Sequence, residues 1–210
     1  MITDRINGAL RAIPAWPLYI IALIAPAWIF YAGVTGQLGV EPIKAMEHRI
    51  GELGLQVLIA TLAITPLRRF AKINAIKFRR ALGLIGFFYI ALHLLVWLLL
   101  DVRILSQIVG DILKRPYITI GMAGFLLLVP LAITSNNWSI RKLGPRWRSL
   151  HKLFYAAIVL GGVHFLWQAK GFQIEPVAYL GVILALLAVR LIPRKKPAAK
   201  IRVRPNRESV

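Results

Sequence analysis

Six apolar stretches, each close to the length of a membrane-crossing helix, dominate this chain. They lie near Leu18–Val34, Ile50–Leu67, Phe78–Leu100, Tyr117–Thr134, Leu150–Gln168 and Pro176–Ile192. Crossing ~30 Å of hydrocarbon takes about 20 helical residues, and inside lipid the backbone must satisfy its own hydrogen bonds. The pattern predicts an all-α membrane protein, a bundle of six transmembrane helices. Composition agrees, since 58% of the residues are hydrophobic where a soluble domain runs at about 45–50%. The first stretch follows Arg5 and Arg11 and contains Ala25-Pro26-Ala27, which resembles a signal-peptide cleavage site. Its apolar run continues through Trp28-Ile29-Phe30-Tyr31, as in an uncleaved anchor. The second stretch is the weakest, because Glu52 and Gln56 lie near its start.

A net charge of +19 would suit a nucleic-acid binder, but its layout excludes that class. The cations sit in short clusters between the apolar runs, as in a polytopic membrane protein, and the partner they imply is membrane lipid rather than nucleic acid. Arg68, Arg69, Lys72, Lys77, Arg79 and Arg80 join spans two and three; Arg141, Lys142, Arg146, Arg148 and Lys152 join spans four and five. The tail carries Arg190, Arg194, Lys195, Lys196, Lys200, Arg202, Arg204 and Arg207. The other connections hold Lys44, Arg49, Arg103, Lys114, Arg115 and Lys170, roughly balanced by acids. Basic connections alternate, so the positive-inside rule predicts both termini in the cytoplasm. Trp97 and Trp167 then fall near the outer ends of their helices, where an aromatic belt would sit. Residues 1–193 form the membrane domain. Residues 194–210 are a basic cytoplasmic tail, too poor in apolar side chains to pack a core.

The chain has no cysteine, which removes disulfides, iron–sulfur clusters and thiolate haem ligation. No HExxH spacing and no evident internal repeat occur. Four histidines remain, and ionisable residues inside a membrane are functional candidates by default. His93 lies in Ala91-Leu92-His93-Leu94-Leu95 on span three, and His164 in Gly161-Gly162-Val163-His164-Phe165 on span five. Both spans run outward, and each histidine precedes the outer end, marked by Asp101 and Lys170, by roughly two turns. Two imidazoles at one depth on two helices are what a bis-imidazole b-type haem needs. The bland alternative is a pair of hydrogen-bonded core histidines. Gly83 and Gly86, with Gly161 and Gly162, would leave room for the ring.

His151 lies about 20 Å nearer the cytoplasm along span five, a separation that suits a second haem. The same level of span three holds Arg79 and Arg80 rather than histidine, and on a straight helix His151 and His164 do not share a face. An interfacial histidine beside lipid phosphates is the equal alternative. His48, at the outer mouth of span two, could serve a quinone or a haem edge, or simply be solvated. Thr65-Pro66-Leu67-Arg68-Arg69 and Leu143-Gly144-Pro145-Arg146-Trp147-Arg148 combine arginines with a proline-set turn. They could pair with a flavin phosphate or a haem propionate, although topology and anionic lipid account for any single arginine.

Several segments together resemble the ferric-reductase-like transmembrane family, and within it the haem-binding membrane subunits of bacterial periplasmic methionine-sulfoxide reductase systems. The segments are Thr61-Leu62-Ala63-Ile64-Thr65-Pro66-Leu67-Arg68-Arg69; Arg79-Arg80-Ala81-Leu82-Gly83-Leu84 with Leu92-His93; and Lys114-Arg115-Pro116-Tyr117-Ile118-Thr119. Arg141-Lys142-Leu143-Gly144-Pro145-Arg146-Trp147 with Leu150-His151-Lys152-Leu153, and His164-Phe165-Leu166-Trp167, complete the set. The resemblance spans nearly the whole chain and has no departure at the histidines. It implies an inner-membrane b-type cytochrome, also associated with FMN, that draws electrons from the quinone pool. The implied acceptor is a periplasmic molybdopterin-containing subunit that reduces methionine sulfoxide in damaged proteins.

Two other classes compete with this reading: a stand-alone transmembrane ferric reductase, and a non-redox transporter or scaffold. No GxGxxG nucleotide fingerprint occurs. Electrons must therefore come from quinol or from a separate soluble flavin reductase, which favours a relay.

Overall fold

The structure, a computed structural model, describes residues 2–169, 171 and 173–193. The tail assigned from sequence, residues 194–210, lies outside the described residues. The chain runs through α1 (Ile2–Ala12), α2 (Pro17–Val34), α3 (Pro42–Phe70), α4 (Arg79–Val96), α5 (Leu105–Lys114) and α6 (Pro116–Ile133). It continues through α7 (Asn137–Leu143), α8 (Pro145–Leu150), α9 (Leu153–Gln168) and α10 (Ile174–Leu191). A short 3-10 turn at Ile76–Phe78 leads into α4, and a π-helical turn at Trp97–Val102 leads out of it. Among the described residues six helical segments are long and apolar enough to cross a membrane: α2, α3, α4 with its flanking turns, α6, α8 with α9, and α10.

Local chemistry sets the helix ends. Proline opens α2, α3, α6 and α8, a position where its missing N–H costs nothing and its fixed φ suits a helix. The Asn136 side chain caps α7 by accepting from the Ser139 N–H at 2.8 Å. Internal prolines Pro26, Pro66 and Pro130 are accommodated, as neighbours and hydroxyls in membrane bundles allow. At the end of α6 the Thr134 hydroxyl adds a bond to the Pro130 carbonyl at 2.6 Å.

Span two looked the weakest because of Glu52 and Gln56, and yet, as α3, it is the most buried of the six. One core cluster joins Leu55, Leu58 and Leu62 of α3 to Leu128 and Leu131 of α6, Phe154 and Ile158 of α9 and Ile183 of α10. A second joins Met46 and Ile50 of α3 to Ala22 and Ile29 of α2 and Ile85 and Tyr89 of α4. Those polar residues pair with each other and with α10 along the side of α3. Gln56 Nε2 donates to Glu52 Oε1 at 2.8 Å and to the Tyr179 hydroxyl of α10 at 2.6 Å, and that hydroxyl donates to Glu52 at 2.9 Å.

Glycines set the close crossings, as small residues do in membrane bundles. A Cβ on Gly86 would lie 2.6 Å from Leu58 of α3, and one on Gly162 would lie 2.9 Å from Ile183 of α10. Gly83 has only a Thr61 methyl at 3.9 Å. The expectation that the glycines make room for a porphyrin is corrected at Gly86 and Gly162, which are occupied with helix packing.

The basic connections gather at one end of the bundle. There α1 is tied to the loop after α3, with Asn7 Nδ2 donating to the Lys72 carbonyl at 2.9 Å and Lys77 Nζ donating to the Arg11 carbonyl at 2.8 Å. Arg69 donates to the Val189 and Pro193 carbonyls at the end of α10, at 3.4 and 2.8 Å.

Candidate functional site

Toward the opposite end, α4 and α9 turn His93 and His164 toward each other. The ring centroids are 6.2 Å apart and the ring planes cross at 70°. Each ring is held by its Nδ1 against the backbone of a third and a fourth helix. His93 Nδ1 is 2.9 Å from the Glu47 carbonyl of α3, and His164 Nδ1 is 2.7 Å from the Tyr117 carbonyl of α6. A carbonyl only accepts, so Nδ1 carries the proton in both rings and Nε2 keeps its lone pair. Two imidazoles bound at about 2 Å through one nitrogen each to a shared metal would have centroids about 6–6.5 Å apart. The observed spacing falls in that range.

Beside the pair lies a cavity of about 880 Å³, at the upper end of the ~300–1,000 Å³ seen for cofactor sites. Its deep wall is apolar, with Leu55, Leu58, Phe125, Leu128 and Gly161 among the lining. Of the four glycines expected to open space, Gly161 borders the cavity, and a Cβ there would meet a Leu55 methyl at 3.5 Å. The mouth is polar, carrying Lys44, Glu47, His48, Asp101, Arg115 and Gln168. His48 spans the gap from α3 to α9, where Gln168 Nε2 donates to its Nε2 at 2.5 Å. Among the described residues no group of three or more His, Cys, Asp or Glu side chains is placed to hold a metal ion. The donor set therefore suits a metal whose equatorial ligands come with a macrocycle, with the protein adding one imidazole on each side.

Trp97 needs correcting as a belt residue. It is buried, at 6% exposure, and lines the cavity, whereas Trp167 is 57% exposed, as a belt requires. Trp97 follows His93 by four residues, so the α4 periodicity puts both on the cavity face.

The other sequence candidates lie elsewhere. His151 sits in the turn between α8 and α9, at the basic end. Its ring stacks on Trp147 with centroids 3.9 Å apart, and its Nε2 is 3.1 Å from the Thr134 hydroxyl. Arg79 is within electrostatic reach of His151. Arg68, Arg79, Arg80 and Arg148 are all exposed, and none borders the His93–His164 cavity. Arg69 turns inward instead. With Thr65 and Arg190 it lines a separate cavity of about 450 Å³ at the basic end. Arg190 donates to the Tyr155 hydroxyl at 2.9 Å and to the Leu62 carbonyl. Its Nε is buried with no hydrogen-bond partner among the described residues.

Sequence reasoning missed what holds the two imidazoles. A Cβ on Gly51 would lie 2.8 Å from His93 Nδ1, and one on Gly121 would lie 2.7 Å from His164 Nδ1. A signal for them exists, because Ile50-Gly51-Glu52-Leu53-Gly54 and Ile120-Gly121-Met122-Ala123-Gly124 share the pattern Ile-Gly-x-x-Gly.

Residues 50–162 match the ferric reductase like transmembrane component family. The chain is 48% identical over 196 residues to the protein-methionine-sulfoxide reductase heme-binding subunits MsrQ of Brucella ovis, Brucella abortus and Brucella suis, covering 93% of this chain and 89% of each relative. No solved structure matches it. On these similarities, the chain belongs to the family of methionine-sulfoxide reductase heme-binding subunits MsrQ, within the ferric reductase like transmembrane components.

Proposed function

We propose that this chain is a bacterial inner-membrane b-type cytochrome. It relays electrons from the quinone pool to a periplasmic, molybdopterin-containing methionine-sulfoxide reductase subunit, and so supports repair of oxidised periplasmic proteins. The observation that carries the reading is the His93–His164 pair, two Nδ1-anchored imidazoles 6.2 Å apart beside an 880 Å³ cavity. His93 and His164 would hold one haem b between them, and the haem would supply a one-electron carrier there. The apolar deep wall excludes water from it, and the polar mouth faces the partner. Both termini are cytoplasmic in this reading, so the end opposite the basic clusters is periplasmic and the mouth opens toward the reductase.

FMN and the electron source rest on the family resemblance. The basic-end cavity, with Arg69, Thr65 and the orphaned Nε of Arg190, has the donors to hold a phosphate there. His151 has no histidine opposite it, and Arg79 lies nearby, so a second haem would need a different sixth ligand or an open site. A soluble cytoplasmic flavin reductase is the other donor compatible with this arrangement.

The test is an absorbance spectrum of the detergent-purified protein with haem and flavin quantitation, followed by electron transfer from a quinol analogue. The expected result is a b-type spectrum, with electrons passing to the purified periplasmic reductase and not to ferric chelates. A protein without haem overturns the cytochrome reading, and equal transfer to ferric chelates favours a stand-alone reductase.

A further inference from the structure

The two halves of the bundle hold their histidines by one device used twice. On α3, the Glu47 carbonyl accepts from His93 Nδ1, and Gly51 follows one turn later against the same ring. On α6, the Tyr117 carbonyl accepts from His164 Nδ1, and Gly121 follows one turn later against that ring. The second glycine of each pattern meets the histidine-bearing helix: a Cβ on Gly54 would lie 2.6 Å from Ile90, and one on Gly124 would lie 3.4 Å from Leu160. An alanine at the first glycine could not coexist with the ring where it stands. Its Cβ would be 2.8 Å from Nδ1 and 3.2 Å from Cε1 and Cγ of His93, or 2.7, 2.9 and 3.1 Å from the same atoms of His164. An imidazole is rigid, so it would have to tilt or withdraw, and the Nδ1 bond would go with it.

We propose that Gly51 and Gly121 are positioning residues that fix the tautomer, the ring plane and the donor strength of His93 and His164. By leaving room at the ring edge they let each Nδ1–H reach a backbone carbonyl. That bond directs the Nε2 lone pair inward and raises the basicity of the ring, as outer partners of metal-bound histidines do. The two sockets sit on different helices, and so they also set the 70° crossing of the ring planes. Because the acceptor is main chain, no side-chain substitution removes it, and the glycine is the position through which the bond can be broken. The inference rests on the reading of His93 and His164 as axial ligands.

The test uses the full-length haem-loaded protein and its Gly51→Ala, Gly121→Ala, Gly33→Ala and Gly181→Ala variants. Readouts are haem loss to an apo-globin acceptor, the redox midpoint potential and the ferric EPR spectrum. Gly51→Ala and Gly121→Ala are expected to lose haem roughly tenfold faster or more. Their midpoint should move upward, because a weaker imidazole donor stabilises the ferric ion less, and their low-spin signal should change. Gly33→Ala, which crowds the Met46 side chain of α3 away from the cavity lining, and Gly181→Ala, which has nothing within 4 Å, are expected to keep the wild-type midpoint. Wild-type midpoint and EPR in both socket variants, or an equal shift in Gly33→Ala, overturns the proposal. Should a socket variant fail to accumulate, the wild-type EPR decides: crossed rings give a highly anisotropic low-spin signal, and the ordinary rhombic signal of parallel rings overturns the proposal. Low-spin haem that is indifferent to both socket substitutions sinks the sockets alone. A wild type without six-coordinate low-spin haem sinks the ligand reading and the sockets together.

Discussion

The two ends of this bundle each present a histidine on the fifth span, and they treat it in opposite ways. At the far end His164 faces His93 across 6.2 Å, its Nδ1 is anchored to a carbonyl, and a cavity opens beside it. At the basic end His151 has no histidine opposite. Its Nε2 is engaged by the Thr134 hydroxyl and its ring is covered by Trp147. A histidine inside a membrane is a reason to look; the free nitrogen and the space in front of it decide what it can do. At the far end both are provided by glycine and backbone, and at the basic end both are taken up by side chains.

The contrast can be broken or sharpened in several ways. The largest effect is expected at the far end, where His93→Ala or His164→Ala should remove most of the bound haem or convert it to high spin, as pyridine haemochrome assay and optical spectra would reveal. At the basic end His151→Ala should leave the low-spin signal of the far-end pair in place. A fall of the haem-to-protein ratio by half in that variant would mean that the basic end carries a haem of its own. Tyr179→Phe removes a hydroxyl bonded to Glu52 and Gln56. It should cost roughly 1 kcal/mol of stability in thermal unfolding of the solubilised protein, with the optical spectrum unchanged. The smallest effect is expected from truncation after Pro193, which should leave haem content as it was; loss of haem on truncation would tie the tail to the site.

The six spans were legible because helix rise and bilayer thickness fix the length of an apolar run. What hydropathy misjudged was the order of burial. Glu52 and Gln56 make α3 look marginal, but those side chains satisfy one another and Tyr179 where α3 meets α10. The most apolar helices, by contrast, include those whose surface faces lipid, such as α2 with Ile20, Ile24 and Trp28 exposed. The equal depth of His93 and His164 could be counted along straight helices. The inward place of Trp97 follows from the same periodicity, since it stands one turn beyond His93 on the same helix face; a belt assignment made on depth alone overlooks it. The sockets at Glu47 and Tyr117 were hidden for a different reason: the acceptor is a main-chain carbonyl, which leaves no side-chain signature, and only the repeated Ile-Gly-x-x-Gly marks it. The outward-facing Arg68, Arg79, Arg80 and Arg148 fit the lipid and topology role that any single arginine was allowed. The inward turn of Arg69 depended on the end of α10, which no local pattern near Arg69 announces.

The most direct test of the His93–His164 centre is chemical rescue. The purified His93→Ala and His164→Ala proteins should each lose the low-spin b-type spectrum, and imidazole added in solution should restore it by entering the space left by the missing ring. Wild-type spectra in both alanine variants, with no response to imidazole, would contradict the centre.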